Sequence, residues 1–144
     1  MIDPNKHPRW KPALEKLRLL LPGATDFIPD NIAAAAVAQG VSVAWVHLRA
    51  FGNEDDAVWS ELLPLLADVG DDESVALVAD VCYVKDRGPF YSSWRELREI
   101  LPSLAERYGE PILALDVVIV AETSVLLVHH SGVAALICPG PAQE

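Results

Sequence analysis

Apolar residues in this chain fall into two rhythms, a three-to-four-residue recurrence and short dense runs, and the elements follow from where each rhythm holds. Leu14, Leu17 and Leu21 share one face of a helix predicted from Trp10 to Leu21. Pro12 is tolerated in its first turn, and Pro22-Gly23 ends it. The stretch F-I-P-D-N-I-A-A-A-A-V-A-Q-G predicts a second helix, capped by Asp30 or Asn31 and stopped by Gly40. V-S-V-A-W-V-H-L, residues 41 to 48, then alternates like a strand. Asn53 is the expected cap of a third helix whose first turn is Glu54, Asp55 and Asp56. Val58, Leu62, Leu65, Leu66 and Val69 lie on one face, and Pro64 kinks or splits it.

S-V-A-L-V-A-D-V-C-Y-V, residues 74 to 84, is apolar on both faces except at Asp80, as in a strand covered on both sides. Ser93 and Glu96 form an S-x-x-E capping box that opens a helix to Tyr108, with Pro102 inside it and Gly109 after it. Ile112 to Ala121, Val125 to His130 and Val133 to Ile137 follow as strands joined by turns too short for anything but antiparallel pairing. The order α-α-β-α-β-α-β-β-β implies an α/β or α+β domain over residues 1–138. Its mixed β-sheet has about five strands, flanked by helices and ending in an antiparallel meander, with residues 139–144 as a flexible tail. The central β-α-β-α-β predicts two right-handed crossovers if its strands are parallel. W-S-E-L-L-P-L-L-A at 59 to 67 echoes W-R-E-L-R-E-I-L-P-S-L-A at 94 to 105, as two helices with the same duty of covering a sheet would.

Charge changes this picture by its location. The chain of 144 residues carries a net charge of −10. Between Ala50 and Val84 lie nine acidic residues and no Lys or Arg, so that segment holds −9 of it. The N-terminal arm is basic instead, with Lys6, Arg9, Lys11, Lys16 and Arg18. An acidic flank argues against nucleic acid as a ligand and for a basic partner surface. No apolar run approaches the ~20 residues of a membrane span, and the polar, proline-rich start carries no signal segment, so a cytoplasmic protein without membrane association is expected. Cys82 and Cys138 lack C-x-x-C spacing and read as unpaired thiols.

Motifs of chemistry are sparse. The strand-to-helix turns carry no G-x-G-x-x-G and no phosphate loop, there is no G-x-S-x-G, and Asp71-Asp72-Glu73 lacks the calcium-loop pattern. His7, His47, His129 and His130 show no i, i+4 ligand spacing. No cofactor, metal or catalytic residue is therefore expected. Successive strand residues point to opposite faces, so His129 should share the face of Leu127 while His130 meets solvent or a partner, and the two should not hold one ion. The residues with something to offer a partner are Glu54, Asp55, Asp56, Asp71, Asp72, Glu73 and His130. To these the loop after residue 84 adds Lys85, Asp86, Arg87 and Tyr91.

The C-terminal stretch L-A-L-D-V-V-I-V-A-E-T-S-V-L-L-V-H-H-S-G-V-A-A-L-I resembles the strand–turn–strand ending of some uncharacterised bacterial immunity-like proteins, over about 25 residues. With the acidic segment, this favours a protein-binding domain of immunity or inhibitor type that neutralises a basic partner such as a bacterial toxin. The rival is a small enzyme or ligand-binding domain using Asp55, Asp56, Lys85, Asp86 and Tyr91 at the carboxyl edge of the sheet, and Asp80 and Asp86 could serve as acid–base groups with Lys85. A homodimer joined along an exposed strand or a Trp-rich helix face is the third reading.

Overall fold

Short apolar runs separated by turns are best buried as neighbouring strands of one sheet, and the computed structural model shows that sheet with six strands. It describes residues 8–52, 54–109, 112–113 and 115–139, with the side chains of residues 84–86 outside that description. In chain order come α1 (Lys11–Leu20), α2 (Pro29–Ala38), β1 (Val46–His47) and α3 (Asp55–Leu62), which runs on as a 3-10 turn (Leu63–Leu66). There follow β2 (Ser74–Ala79), a 3-10 segment (Asp80–Asp86), β3 (Phe90–Ser93), α4 (Trp94–Tyr108), β4 (Val117–Val120), β5 (Val125–His129) and β6 (Val133–Ile137). The strands lie in the order β1-β6-β5-β4-β2-β3, and every pair is antiparallel.

Local signals set most helix limits. The Ser93 hydroxyl accepts from the Glu96 amide, and the Glu96 carboxylate accepts from the Ser93 amide, so both orphan donors at the start of α4 are satisfied. Gly109 ends α4 in the left-handed region at φ 74°. Pro64 splits α3 from its 3-10 continuation, as expected. The second helix begins earlier than Asp30 or Asn31 would have it. Pro29 occupies its first turn, and Asp26 stands outside as the local acceptor, taking the Ile28 amide and the Asn31 side-chain amide. Asn53 and the tail from Gly140 onward lie outside the described residues.

The α+β class, the flanking helices and the C-terminal meander are as the sequence predicts, but the connections differ. F-Y-S-S, read as loop, is β3, which turns back antiparallel on β2. β4 then pairs with the other side of β2. β3 and β4 therefore run parallel to one another with β2 between them, and α4 is the crossover that joins them, a split β-α-β unit. β1 and β2 also share a direction, yet β6, β5 and β4 separate them, so no parallel ladder forms. Three apolar runs overshoot their strands. β2 stops at Ala79 because its partner ends at Val117, and Asp80 onward coils into the 3-10 segment. Ile112 and Leu113 give their amides to a side chain rather than to the sheet. Val41 and Val43 pack against the core without pairing, leaving β1 two residues long.

Every residue of β4, and every residue of β5 but its last, is buried. Helix α1 lies on β4, α2 on β5 and α4 on β2. Trp59 of α3 meets Trp94 of α4 edge to face at 5.7 Å, and both are buried. The Trp-rich face considered as a dimer surface is thus part of the core, and full burial of side chains this size contributes several kcal/mol each.

Candidate functional site

The antiparallel register decides which residues meet at the end of the sheet. Ala79 of β2 pairs with Val117 of β4, and Val117 pairs with Val128 of β5. One step further on, Asp80, Asp116 and His129 leave the sheet side by side, at the carboxyl ends of β2 and β5. The first turn of α2, packed on β5, brings Asp30 to the same place. β5 ends at His129, so His130 belongs to the turn that Gly132 closes at φ 93°, a left-handed conformation glycine adopts without strain.

That turn overturns the expected opposition of the two histidines. Freed from strand alternation, His130 lays its ring on that of His129, with centroids 4.2 Å apart and planes 26° apart. The expectation that one histidine edges the core while the other meets solvent does hold: the side chains are 15% and 60% exposed. The His130 amide donates to Asp116 Oδ1 at 2.7 Å, and its Nδ1 stands 2.9 Å from the same oxygen. A carboxylate only accepts, so this network assigns the proton to His130 Nδ1. His129 Nδ1 accepts from the Ser131 amide at 3.0 Å, which turns its Nε2–H toward Asp30 Oδ2, 3.1 Å away. Ser131 Oγ adds a 2.7 Å contact to Nδ1, and Trp45 meets the ring edge-on at 5.9 Å. One ring nitrogen from each histidine and one Asp116 oxygen all lie within 4.8 Å of one another.

Beside this cluster is a cavity of about 260 Å³. Phe27, Ile28, Val78 and Ala79 give it apolar walls, and Asp80, Tyr83 and Asp116 supply the polar groups. Asp116 is common to the cavity and the histidine cluster. Trp10 backs the cavity, 4.6 Å from the Tyr83 ring and 5.9 Å from that of Phe27. Burial pushes the Tyr83 phenol up to about 12, and the negative charges around it, Asp26, Asp80 and Asp116 among them, act in the same direction. Tyr83 therefore presents a hydrogen-bond donor at neutral pH. Burial likewise pushes the Cys82 thiol up to about 11, so it stays protonated and inert, while Cys138 is exposed.

The acidic segment is divided by the fold. Asp55 is buried, and its carboxylate accepts the amides of Ile112 at 2.7 Å and Leu113 at 2.9 Å, clamping the chain on its way from α4 to β4. It holds the fold, and it also lines the groove at the start of α3. Glu61 accepts the amides of Arg49 and Ala50. Asp71 pairs with Arg98 and, at 3.6 Å, with Arg95. Glu73 accepts the amides of Gly70 and Glu122. The remaining five, Glu54, Asp56, Asp68, Asp72 and Asp80, are exposed. Glu54 and Asp56 face Glu106 across an open groove of about 500 Å³ between the start of α3 and the end of α4. Pro102, Ala105 and Gly109 form its wall, and no Lys or Arg among the described residues lines it.

The loop candidates are likewise engaged within the chain. Arg87 lies over the Tyr108 ring at 4.6 Å. Tyr91 donates to the Arg9 carbonyl at 2.6 Å and accepts the Ala13 amide at 3.1 Å, fastening the N-terminal arm to β3. The side chains of Lys85 and Asp86 lie outside the described residues. A concave site does occupy the carboxyl edge of the sheet, but Asp80, Tyr83 and Asp116 build it, and Asp55, Asp56 and Tyr91 lie elsewhere. Tyr83, Asp30 and Asp116 escaped the sequence reading, and Asp116 had a signal. The hairpin pairs residues whose numbers sum to 245, as Val117 with Val128, which sets Asp116 opposite His129, one register step from the His130 that a turn centred on E-T-S would give. No family model, curated protein or solved structure matches the chain.

Proposed function

We propose that this protein is a binding module that engages a basic protein partner through the groove between α3 and α4. The observation that carries this reading is the groove itself, with Glu54, Asp55, Asp56 and Glu106 around it and no Lys or Arg among the described residues lining it. The carboxyl end of α4 adds the negative pole of its dipole to the same place. A lysine or arginine side chain of a partner would find carboxylates on two sides and an apolar wall for its methylene stem. An inhibitor or immunity-type role, covering the basic cleft of a partner such as a toxin, suits such a surface. Two free thiols suit the reducing cytoplasm, and no helix among the described residues is long and apolar enough to cross a membrane.

The test is to capture the partner on the immobilised full chain and compare affinities. Glu54→Lys/Asp56→Lys/Glu106→Lys should bind at least ~10-fold more weakly, chiefly through slower association. Wild-type binding should also weaken between low and physiological salt. Asp68→Lys/Asp72→Lys, which reverses two charges away from the groove, should lose far less. Equal binding by the groove variant and wild type would end this reading. The cavity at the sheet end favours a second one, a small-ligand domain. Its volume lies just below the ~300–1,000 Å³ of common ligand pockets, and a few polar groups converge on apolar walls, as those pockets require. A ligand that raises the melting temperature of wild type should leave a cavity-filling Ala79→Leu variant unchanged.

A further inference from the structure

We propose that His129, His130 and Asp116 form a binding site for one divalent transition-metal ion, distinct from the acidic groove and independent of the partner reading. Two imidazoles and one carboxylate are a donor set for ions of intermediate softness, such as Zn²⁺, Co²⁺ or Ni²⁺, whereas Mg²⁺ and Ca²⁺ take oxygen ligands. The spacing fits. Donors ~2.1 Å from one ion and at right angles stand ~3.0 Å apart, and His130 Nδ1 and Asp116 Oδ1 are 2.9 Å apart. All three donor atoms lie within 4.8 Å of one another, and the His130 side chain is 60% exposed, so the site opens to solvent.

The rest of the cluster is placed as support. The strand register fixes Asp116 beside His129 and Trp45 meets its ring edge-on, and an ion taken by Nδ1 would displace the Ser131 amide and hydroxyl from that nitrogen. Asp30, against the outer nitrogen of His129, either orients the ring as a carboxylate behind a metal-bound histidine does or swings in as a fourth donor. The ion would take the place of the proton on His130 Nδ1, with the neutral ring carrying its proton on Nε2 instead, so binding needs a change of tautomer. Three protein donors leave coordination positions for water or a ligand atom. Because Asp116 also lines the cavity, those positions stand at its rim.

The experiment uses the full chain stripped with a chelator and dialysed. Co²⁺ is followed by its visible absorption, and Zn²⁺ by competition with a chromophoric chelator. The expected result is one ion per chain. His130→Ala and Asp116→Asn should each weaken binding at least ~10-fold, while metal-free circular dichroism and melting match wild type. His130→Gln serves in place of either variant that fails to fold, and Glu54→Gln/Asp56→Gln should bind as wild type. The proposal is overturned if wild type binds no more tightly than the His130→Ala/Asp116→Asn double variant. It is equally overturned if binding depends on the groove carboxylates instead.

Discussion

The flank built by α3 and α4 and the end of the sheet at His129 use carboxylates in opposite ways. Along the chain the flank looks like a continuous acidic surface, yet four of the eight carboxylates from Glu54 to Glu73 are turned inward or sideways onto the protein's own amides and arginines. The sheet end looks unremarkable in sequence. There Asp30, Asp80, Asp116 and two histidines come from four separate elements to one place. Density of charge along a chain therefore says little about where charge is available. Strand register and helix placement decide that, and here they disperse one group while assembling another.

The contrast is broken most severely at Asp55. Removing its carboxylate strands two buried amides, and Asp55→Ala should lose about 3 kcal/mol of stability in urea unfolding. A loss as small as that of an exposed acid would mean the clamp does not exist. At the sheet end the test is alkaline. Cys82 and Tyr83 have folded values raised to about 11 and about 12 from ordinary values of 9 and 10. Above pH 9 the unfolded chain ionises while the folded one holds its protons, so stability is complete below that pH and declines as pH rises through 11 and 12. Tyr83→Phe should flatten the part of that decline above pH 10, and an unchanged profile would show that the phenol is not held in a buried place. Asp71→Asn weakens half-exposed pairs with Arg95 and Arg98 and should cost less than ~1 kcal/mol. Asp56→Asn, one residue from Asp55 but exposed, should change stability by no more than ~0.5 kcal/mol.

What was legible in the sequence was local. Capping at Ser93 and Glu96, the stops at Gly40 and Gly109, the split at Pro64 and the three-strand meander all rest on interactions within a few residues, and they read directly. β3 did not read, because F-Y-S-S is a short edge strand whose only reason to be extended is the β2 edge it pairs with. The apolar run 74 to 84 gave no sign of its break, since Val81 and Cys82 are as buried in the 3-10 segment as they would be in a strand. Part of the candidate site was within reach. Asp116 follows from the hairpin register, whereas Asp30 depends on how α2 packs on β5, and no local pattern encodes that.

If the groove takes a basic partner and the sheet end a metal ion, the two events engage separate residues. Amide chemical shifts of the labelled full chain, recorded during titration first with an arginine-rich peptide and then with Zn²⁺, test it most directly. The peptide should move Glu54, Asp56, Ala105, Glu106 and Gly109 and leave the histidine turn in place. Zn²⁺ should move Asp116 and residues 129 to 132 and leave the groove in place. Both titrants shifting the same residues, or the peptide shifting none in the groove, would contradict the account.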